Sequence, residues 1–179
     1  MGRFVRLVLT LSISGLAAGQ PLAAQSSARA PILLAGFAFN GSAANAIQAG
    51  DTAIADVATE RMRADLGRST ALALVDSLRA ESALVSGDVP RAQCSVSMQC
   101  VRAAAQKAGA RWAVTGTVTK VSNLIWYLSA QLIDVTSGRL VLDDGFELKG
   151  PRDEIVPRGA SSFARRIETA AARDSGASR

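Results

Sequence analysis

The chain has 179 residues, of which 49% are hydrophobic but only 4% aromatic, with 20 basic and 15 acidic side chains and no histidine. This length is enough for one domain with a single hydrophobic core. Because Arg and Lys are scattered among Asp and Glu, the composition argues against nucleic-acid binding, which needs a clustered basic face with aromatic stacking groups.

The N-terminus has the composition of an export signal. Arg3 and Arg6 precede an apolar run over residues 7–18, and small residues lead up to Ala24. The run is shorter than the roughly 20 residues of a bilayer-spanning helix. We therefore expect a signal peptide over residues 1–24, no stable membrane span after its cleavage, and a periplasmic or secreted protein. No cysteine stands at the cleavage point, which argues against a lipid-anchored form.

Beyond the signal, the sequence predicts a flexible leader over residues 25–30, a single domain over 31–173 and a disordered tail over 174–179. Apolar runs predict buried strands, and apolar residues at three-to-four spacing predict helices. The first half is predicted to begin with a strand over 31–39, a loop over 40–50 and a helix that is capped by Asp51 and ends at Gly67. A strand over 70–75 and a short helix or turn over 76–85 follow. A loop over 86–98 then leads to a helix over 99–108.

In the second half the apolar period changes to two. Alternating residues from Trp112, turns at Ser122-Asn123 and at Asp134–Gly138, and a further strand over 139–148 predict an antiparallel three-stranded meander. A last helix is expected to begin after Asp153 and to end near residue 173, with its start left open by a proline and a glycine. The predicted fold class is α/β (α+β), with helices on a mixed sheet in the order β-α-β-α(α)-β-β-β-α.

Cys94 and Cys100 are the only two cysteines. In an oxidising compartment this pair predicts one disulfide. A redox pair normally has the tighter C-x-x-C spacing, and a zinc site would need two more ligands. We therefore expect no metal site and no cofactor.

The segment from Cys94 to Gly138 carries a family resemblance. It contains a cysteine pair before a helix, an Ala-Gly helix end at Ala108-Gly109, the hairpin sequence from Val114 to Leu124, and Asp134-Val-Thr-Ser-Gly. This pattern resembles the secreted bacterial family called domain of unknown function 2380, over about residues 31–170. More distantly, the layout is similar to the N-terminal domain of TolB and to CsgG-like envelope proteins. The resemblance implies location and fold, and an association with envelope assembly or protein contacts.

Several polar groups are candidates for catalytic or binding residues. Lys120 and Ser122 point the same way on a strand by alternation alone, and the adjacent Asp143 and Asp144 must face opposite sides. Asp134 starts a turn, where it is expected to cap backbone amides. Gly36 and Gly41 make only a weak phosphate-binding signal, because no Lys-Ser/Thr pair follows them.

The meander offers one candidate contact surface, formed by Ile125, Trp126, Tyr127 and Gln131. Since Trp126 and Tyr127 are neighbours on one strand, their rings must lie on opposite faces. One ring is exposed if helices cover only one face of the sheet, and both are buried if a further helix or loop covers the other face.

These observations favour a non-enzymatic binding or assembly module that contacts another envelope protein through the open face or edge of its sheet. The alternative is a small-ligand carrier that uses the strand-end loops near residues 36–50. The oligomeric state is not predicted.

Overall fold

The computed structural model describes residues 29–41, 47–85 and 90–177. The predicted signal peptide, and all of the predicted leader except its last two residues, lie outside these ranges. The elements are β1 (Ala30–Gly41), α1 (Ile54–Gly67), β2 (Leu72–Leu74), α2 (Ser77–Leu84), α3 (Arg91–Cys94), α4 (Met98–Lys107), β3 (Trp112–Lys120), β4 (Ile125–Asp134), β5 (Leu140–Lys149) and α5 (Arg152–Ala177).

The five strands form one mixed sheet in the order β2-β1-β3-β4-β5. Strand β1 runs parallel to both β2 and β3, whereas β3, β4 and β5 form an antiparallel meander. The predicted fold class and element order are confirmed.

Helices cover the two faces of the sheet unequally. On one face, α1 and α5 bury the larger core, which includes Met62, Trp112, Trp126 and Phe163. On the other face, α2 and the alanine side of α4 pack against residues such as Leu33, Ala35 and Ala113. Further along this second face, Thr117, Ser129 and Tyr127 are partly or largely exposed. This second face is therefore open over the first part of β4, most of β5 and the end of β3, whereas Ile133 near the end of β4 is buried.

The beginnings of two elements differ from the predictions. Strand β1 begins inside the predicted leader, at Ala30, whose N–H donates to the carbonyl of Ala71 at 2.9 Å. Helix α1 begins at Ile54, and no side chain caps it, so the prediction that Asp51 caps this helix is wrong. The carboxylate of Asp51 instead accepts the N–H of Gln48 at 2.7 Å and takes part in buried ion pairs.

Helix α5 is longer at both ends than predicted. It begins at Arg152, runs through Pro157 and continues to Ala177, so the predicted helix end near residue 173 is wrong. Tertiary packing offsets the low helix propensity of Gly159, because a Cβ there would lie 2.9 Å from Leu128 and 3.0 Å from Leu148. The missing side chain lets this helix approach the sheet closely.

Gly116 allows a similar close approach within the sheet. A Cβ at this position would lie 2.6 Å from the carbonyl oxygen of Ser129 and would overlap the ring of Phe37. Backbone of the neighbouring strand cannot move aside as a flexible side chain can.

We expect Gly116→Ala to lower the free energy of unfolding by about 1–3 kcal/mol, the usual cost of overpacking. Urea denaturation checks this, with Gly176→Ala as the control because nothing lies within 4 Å of a Cβ there. Equal stability of the two variants would contradict the close approach at Gly116.

Cys94 and Cys100 form a disulfide, with their Cα atoms 5.1 Å apart. The bond joins the last residue of α3 to the first turn of α4. Both sulfur-bearing residues pack in or against the core under the second face. The disulfide thus holds the short helix α3 against the domain.

Reduction of this disulfide should destabilise the domain by about 2 kcal/mol, because it closes only a short loop. For a domain of this size we expect a melting temperature lower by several degrees without loss of the fold. Calorimetry with and without reductant measures the shift. An unchanged melting temperature, together with two titratable thiols before reduction, would reject the bond.

Candidate functional site

Strand β1 has one edge that is only partly paired. Strand β2 pairs with β1 over Ala30–Ile32 alone, whereas β3 pairs with the other side of β1 from Ile32 to Gly41. Among the residues that the structure describes, no strand therefore pairs with the β2 side of β1 beyond Ile32. This leaves about 17 Å of open strand edge between Gly36 and Gly41.

A groove of about 670 Å³ runs along this edge, and we call it the edge groove. Its floor is β1 itself, from Ala35 to Phe39. Its walls are formed by α1, with Asp56, Thr59, Glu60 and Arg63, and by the α2–α3 region, with Glu81, Arg91, Ser95 and Val96. The groove therefore presents the backbone of a strand between two helical walls.

A β-bulge shapes the edge at the entrance to the groove. The register of β1 against β3 shifts between Leu34 and Gly36, and Gly36 has φ +100°. The next N–H, that of Phe37, donates to the hydroxyl of Thr59 at 2.8 Å, and this hydroxyl donates to the carbonyl of Ala55. Because backbone groups alternate along a strand, the amide of Phe39 faces the same edge as that of Phe37.

The charged groups of the walls are mostly paired. Arg63 lies 3.3 Å from Glu60, and Arg91 lies 3.0 Å from Glu81. In the floor segment Ala35–Gly41 there is no charged residue. The edge groove is thus neutral along its floor and charged only at its rim.

The opposite edge of the sheet, at β5, has the features of a protected edge. Strand β5 carries Asp143, Asp144, Glu147 and Lys149. The N–H of Gly145 donates to the carboxylate of Asp144, the preceding residue, at 2.8 Å. Charged side chains and satisfied amides discourage pairing with another strand, so the two edges differ in their capacity to accept one.

The predicted contact surface is divided by the sheet. Trp126 is only 1% exposed and packs under α1 and α5, so its inclusion in a contact surface is wrong. Tyr127 is 41% exposed on the open face, where Gln131 donates to Asp143 at 3.2 Å. Ile125 is partly buried. The prediction that the two aromatic rings lie on opposite faces is confirmed.

The most buried charges of the described residues lie at the end of β3. Asp51, 1% exposed, accepts hydrogen bonds from Lys120 Nζ at 2.6 Å and from Arg152 at 2.7 Å. Lys120 is 2% exposed and lies 5.9 Å from the ring of Trp126. Burial would raise the pKa of Asp51, but the hydrogen bonds from Lys120, the Gln48 amide and Arg152 outweigh it and hold this pKa below its usual value.

Lys120 and Ser122, which the sequence analysis considered as a possible catalytic pair, have different hydrogen-bond partners. Lys120 is bonded to Asp51, while the hydroxyl of Ser122 accepts the amides of Leu124 and Ile125 in the β3–β4 turn. Asp134 accepts the N–H of Ser137 at 2.8 Å, which confirms its predicted role as a turn cap.

No group of three or more residues with metal-binding side chains comes together in the described ranges. None of the helices there combines the length and hydropathy that a bilayer crossing requires.

Sequence reasoning did not find the edge groove. It predicted β2 over six residues, whereas only Leu72–Leu74 form the strand. The strand is shortened mainly at its start, where the hydroxyl of Ser69 accepts the amides of Ala71 and Leu72. After its end, Asp76 accepts the amides of Leu78 and Arg79 and starts α2. Only Leu72–Leu74 are left as strand between these two side chains.

The family model described as a protein of unknown function (DUF2380) matches residues 34–167. The chain belongs to this family. The resemblance based on the segment Cys94–Gly138 is thereby confirmed. No curated protein matches the chain at a significant level.

Solved structures resemble this DUF2380 member at low sequence identity, and two with TM-scores above 0.5 share its fold. The C-terminal domain of LpoB from Salmonella enterica is 16% identical with a TM-score of 0.54, over 70% of this chain and 87% of that one. The lipoprotein GNA1162 from Neisseria meningitidis is 13% identical with a TM-score of 0.54, over 77% of this chain and 96% of that one. TolB from Acinetobacter baumannii is 16% identical with a TM-score of 0.48, over 79% of this chain but 28% of TolB. The similarity to CsgG stays a prediction.

We expect Asp51→Asn to lower the free energy of unfolding at pH 7 by about 3–5 kcal/mol, because it removes the charged carboxylate from a buried ion pair with the Lys120 ammonium. Urea denaturation measures the loss. Asp153→Asn is the matched control, since Asp153 also binds Arg152 but is exposed, and exposed pairs contribute about 0–1 kcal/mol.

The stability difference between wild type and Asp51→Asn should depend on pH. Because the pKa of Asp51 is lowered on folding, its contribution is complete above the unfolded pKa of about 3.9 and is lost as pH falls through the folded value. The stability difference between wild type and Asp51→Asn should therefore be constant from pH 7 to about pH 5 and shrink below about pH 4. A difference that grows on acidification would contradict this assignment.

Proposed function

We propose that this chain is an exported, non-enzymatic interaction module that binds an extended segment of another envelope protein along the free edge of β1. The unpaired length of β1 at the floor of the edge groove carries the proposal. A segment bound there would add a sixth strand to the sheet, and main-chain hydrogen bonds would supply the affinity.

The surroundings of the edge suit a bound strand. The floor is uncharged and includes Phe37 and Phe39, so an added strand covers apolar surface as well as backbone. Helices α1 and α3 stand on either side and would contact alternate side chains of the segment. Tyr127, Ile125 and Gln131, on the adjoining open face, are proposed as further contacts with the same partner.

The proposed location rests on the N-terminal sequence and the disulfide. The segment over residues 1–24 has the composition of a signal peptide, and the Cys94–Cys100 bond suits an oxidising compartment. The fold shared with the lipoprotein GNA1162 agrees with an envelope location.

A small-ligand carrier is the second candidate, and the volume of the edge groove favours it. Ligand sites commonly have volumes of about 300–1,000 Å³, which includes this one. Gly36, Phe37, Ala38 and Phe39 from the region predicted for such a carrier line the groove. The strand backbone along its floor is the reason for preferring a peptide segment.

The role of the edge can be tested with a lysine at Ala38, which lines the edge groove and pairs with Thr117. A lysine on an edge strand opposes the addition of another strand. The control is Ala103→Lys, an identical change at an exposed position of α4 outside the groove.

We expect a photo-crosslinking residue at position 38, but not at position 103, to capture one envelope protein in the native host. The captured protein, once purified, should bind Ala38→Lys at least about tenfold more weakly than wild type or Ala103→Lys, as for the loss of a central interface contact. Equal binding by all three proteins would refute docking at this edge. Capture of no protein, with thermal stabilisation by a small molecule that Ala38→Lys abolishes, would favour the carrier instead.

A further inference from the structure

A second groove, of about 850 Å³, lies between β5 and α5, and we call it the arginine groove. Arg139 contributes from the start of β5, and Arg165, Arg166 and Arg173 contribute from α5. Apolar atoms of Val141, Leu142 and Ala170 also line it. Four guanidinium groups therefore share one concave surface.

Two of these four charges are neutralised by carboxylates in the same groove. Arg139 forms an ion pair with Asp174, and Arg166 forms one with Asp144. Arg166 is further held in place over the rings of Phe146 and Phe163, at 5.0 and 5.8 Å. These two arginines are thus positioned before any ligand binds.

The other two arginines are not neutralised within the groove. Arg165 donates a hydrogen bond to the hydroxyl of Ser162 at 3.2 Å, and within the described ranges the guanidinium of Arg173 has neither an ion pair nor a hydrogen bond. Arg165 also borders a smaller groove that contains Asp65 and Glu168. The arginine groove therefore has two more positive than negative side chains.

The positions along α5 explain why these groups converge. Residues 162, 166, 169 and 173 follow one another at three-to-four spacing, and residue 165 lies three after 162 and four before 169, which places all five on one side of a helix. Arg165 and Arg173 are about 12 Å apart along the helix axis, a span that two long arginine side chains can close between them. This side of the helix is polar where it borders β5, whereas Phe163 and Ile167 face the core.

We infer that the arginine groove binds a phosphate-bearing ligand. The guanidinium groups approach from both walls, and the tetrahedral oxygens of a phosphate can accept from several directions at once. A carboxylate has only two oxygens, which lie in one plane, and so offers fewer acceptor directions to guanidinium groups on two walls. The phosphate can belong to a free polyphosphate or to a phospholipid headgroup, whose chains would lie along the apolar atoms of the groove.

The test compares the full chain with Arg165→Gln/Arg173→Gln, which removes the two arginines that lack a carboxylate partner in the groove. Arg158→Gln, on the same helix outside the groove, controls for lost positive charge. The probes are sodium tripolyphosphate, followed by calorimetric titration, and vesicles of phosphatidylglycerol or of phosphatidylcholine alone, followed by cosedimentation.

We expect wild type and Arg158→Gln to bind tripolyphosphate or phosphatidylglycerol vesicles, and the double variant to bind at least about tenfold more weakly. Binding of tripolyphosphate identifies a soluble ligand, and binding of phosphatidylglycerol vesicles alone identifies a headgroup. Equal binding by all variants, or binding of neither probe by wild type, would overturn the inference. Since Ala38 lies on the other edge of the sheet, neither result bears on docking at β1.

Discussion

The buried carboxylate of Asp51 joins three parts of the chain that are far apart in sequence. Its oxygens bind the Gln48 amide, the Lys120 ammonium at the end of β3 and the Arg152 guanidinium at the start of α5. The segment before α1 and the first turn of α5 are thereby fixed to the same strand end. Because α1 forms one wall of the edge groove and α5 one wall of the arginine groove, the geometry of both grooves depends on this carboxylate.

The two edges of the sheet show how a small domain can protect one strand edge and leave another open. At β5, Asp144 accepts the amide of Gly145 and also pairs with Arg166. One side chain therefore protects this edge from pairing with another strand and also lines the arginine groove. At β1, the bulge at Gly36 and the hydroxyl of Thr59 satisfy one amide, and the uncharged segment beyond it continues to Gly41. Edge protection of this kind limits uncontrolled strand addition, and the uncharged edge of β1 lacks it, which supports the docking proposed there.

The order of elements, the alanine side of α4 and the meander could be predicted because each depends on local periodicity. The helical start at Arg152 could not, since Pro157 and Gly159 are unfavourable locally and are offset only by packing of α5 against Leu128 and Leu148. The role of Asp51 was missed for a related reason. An aspartate just before a helix usually caps it, and its partners Lys120 and Arg152 lie 69 and 101 residues away. The edge groove likewise depends on how few residues of β2 reach β1, which is a property of the assembled sheet.

The burial of both tryptophans has a spectroscopic consequence. Trp112 and Trp126 lie in the same core under α1 and α5, and their indole nitrogens have no hydrogen-bond partner among the described residues. Indoles in such apolar surroundings emit at shorter wavelengths than indoles in water. The intrinsic fluorescence of the native chain therefore comes from its interior, while the single tyrosine is at the surface. A red shift of the tryptophan emission therefore reports opening of the main core. Binding at either groove should leave this emission unchanged, so the signal is specific for unfolding.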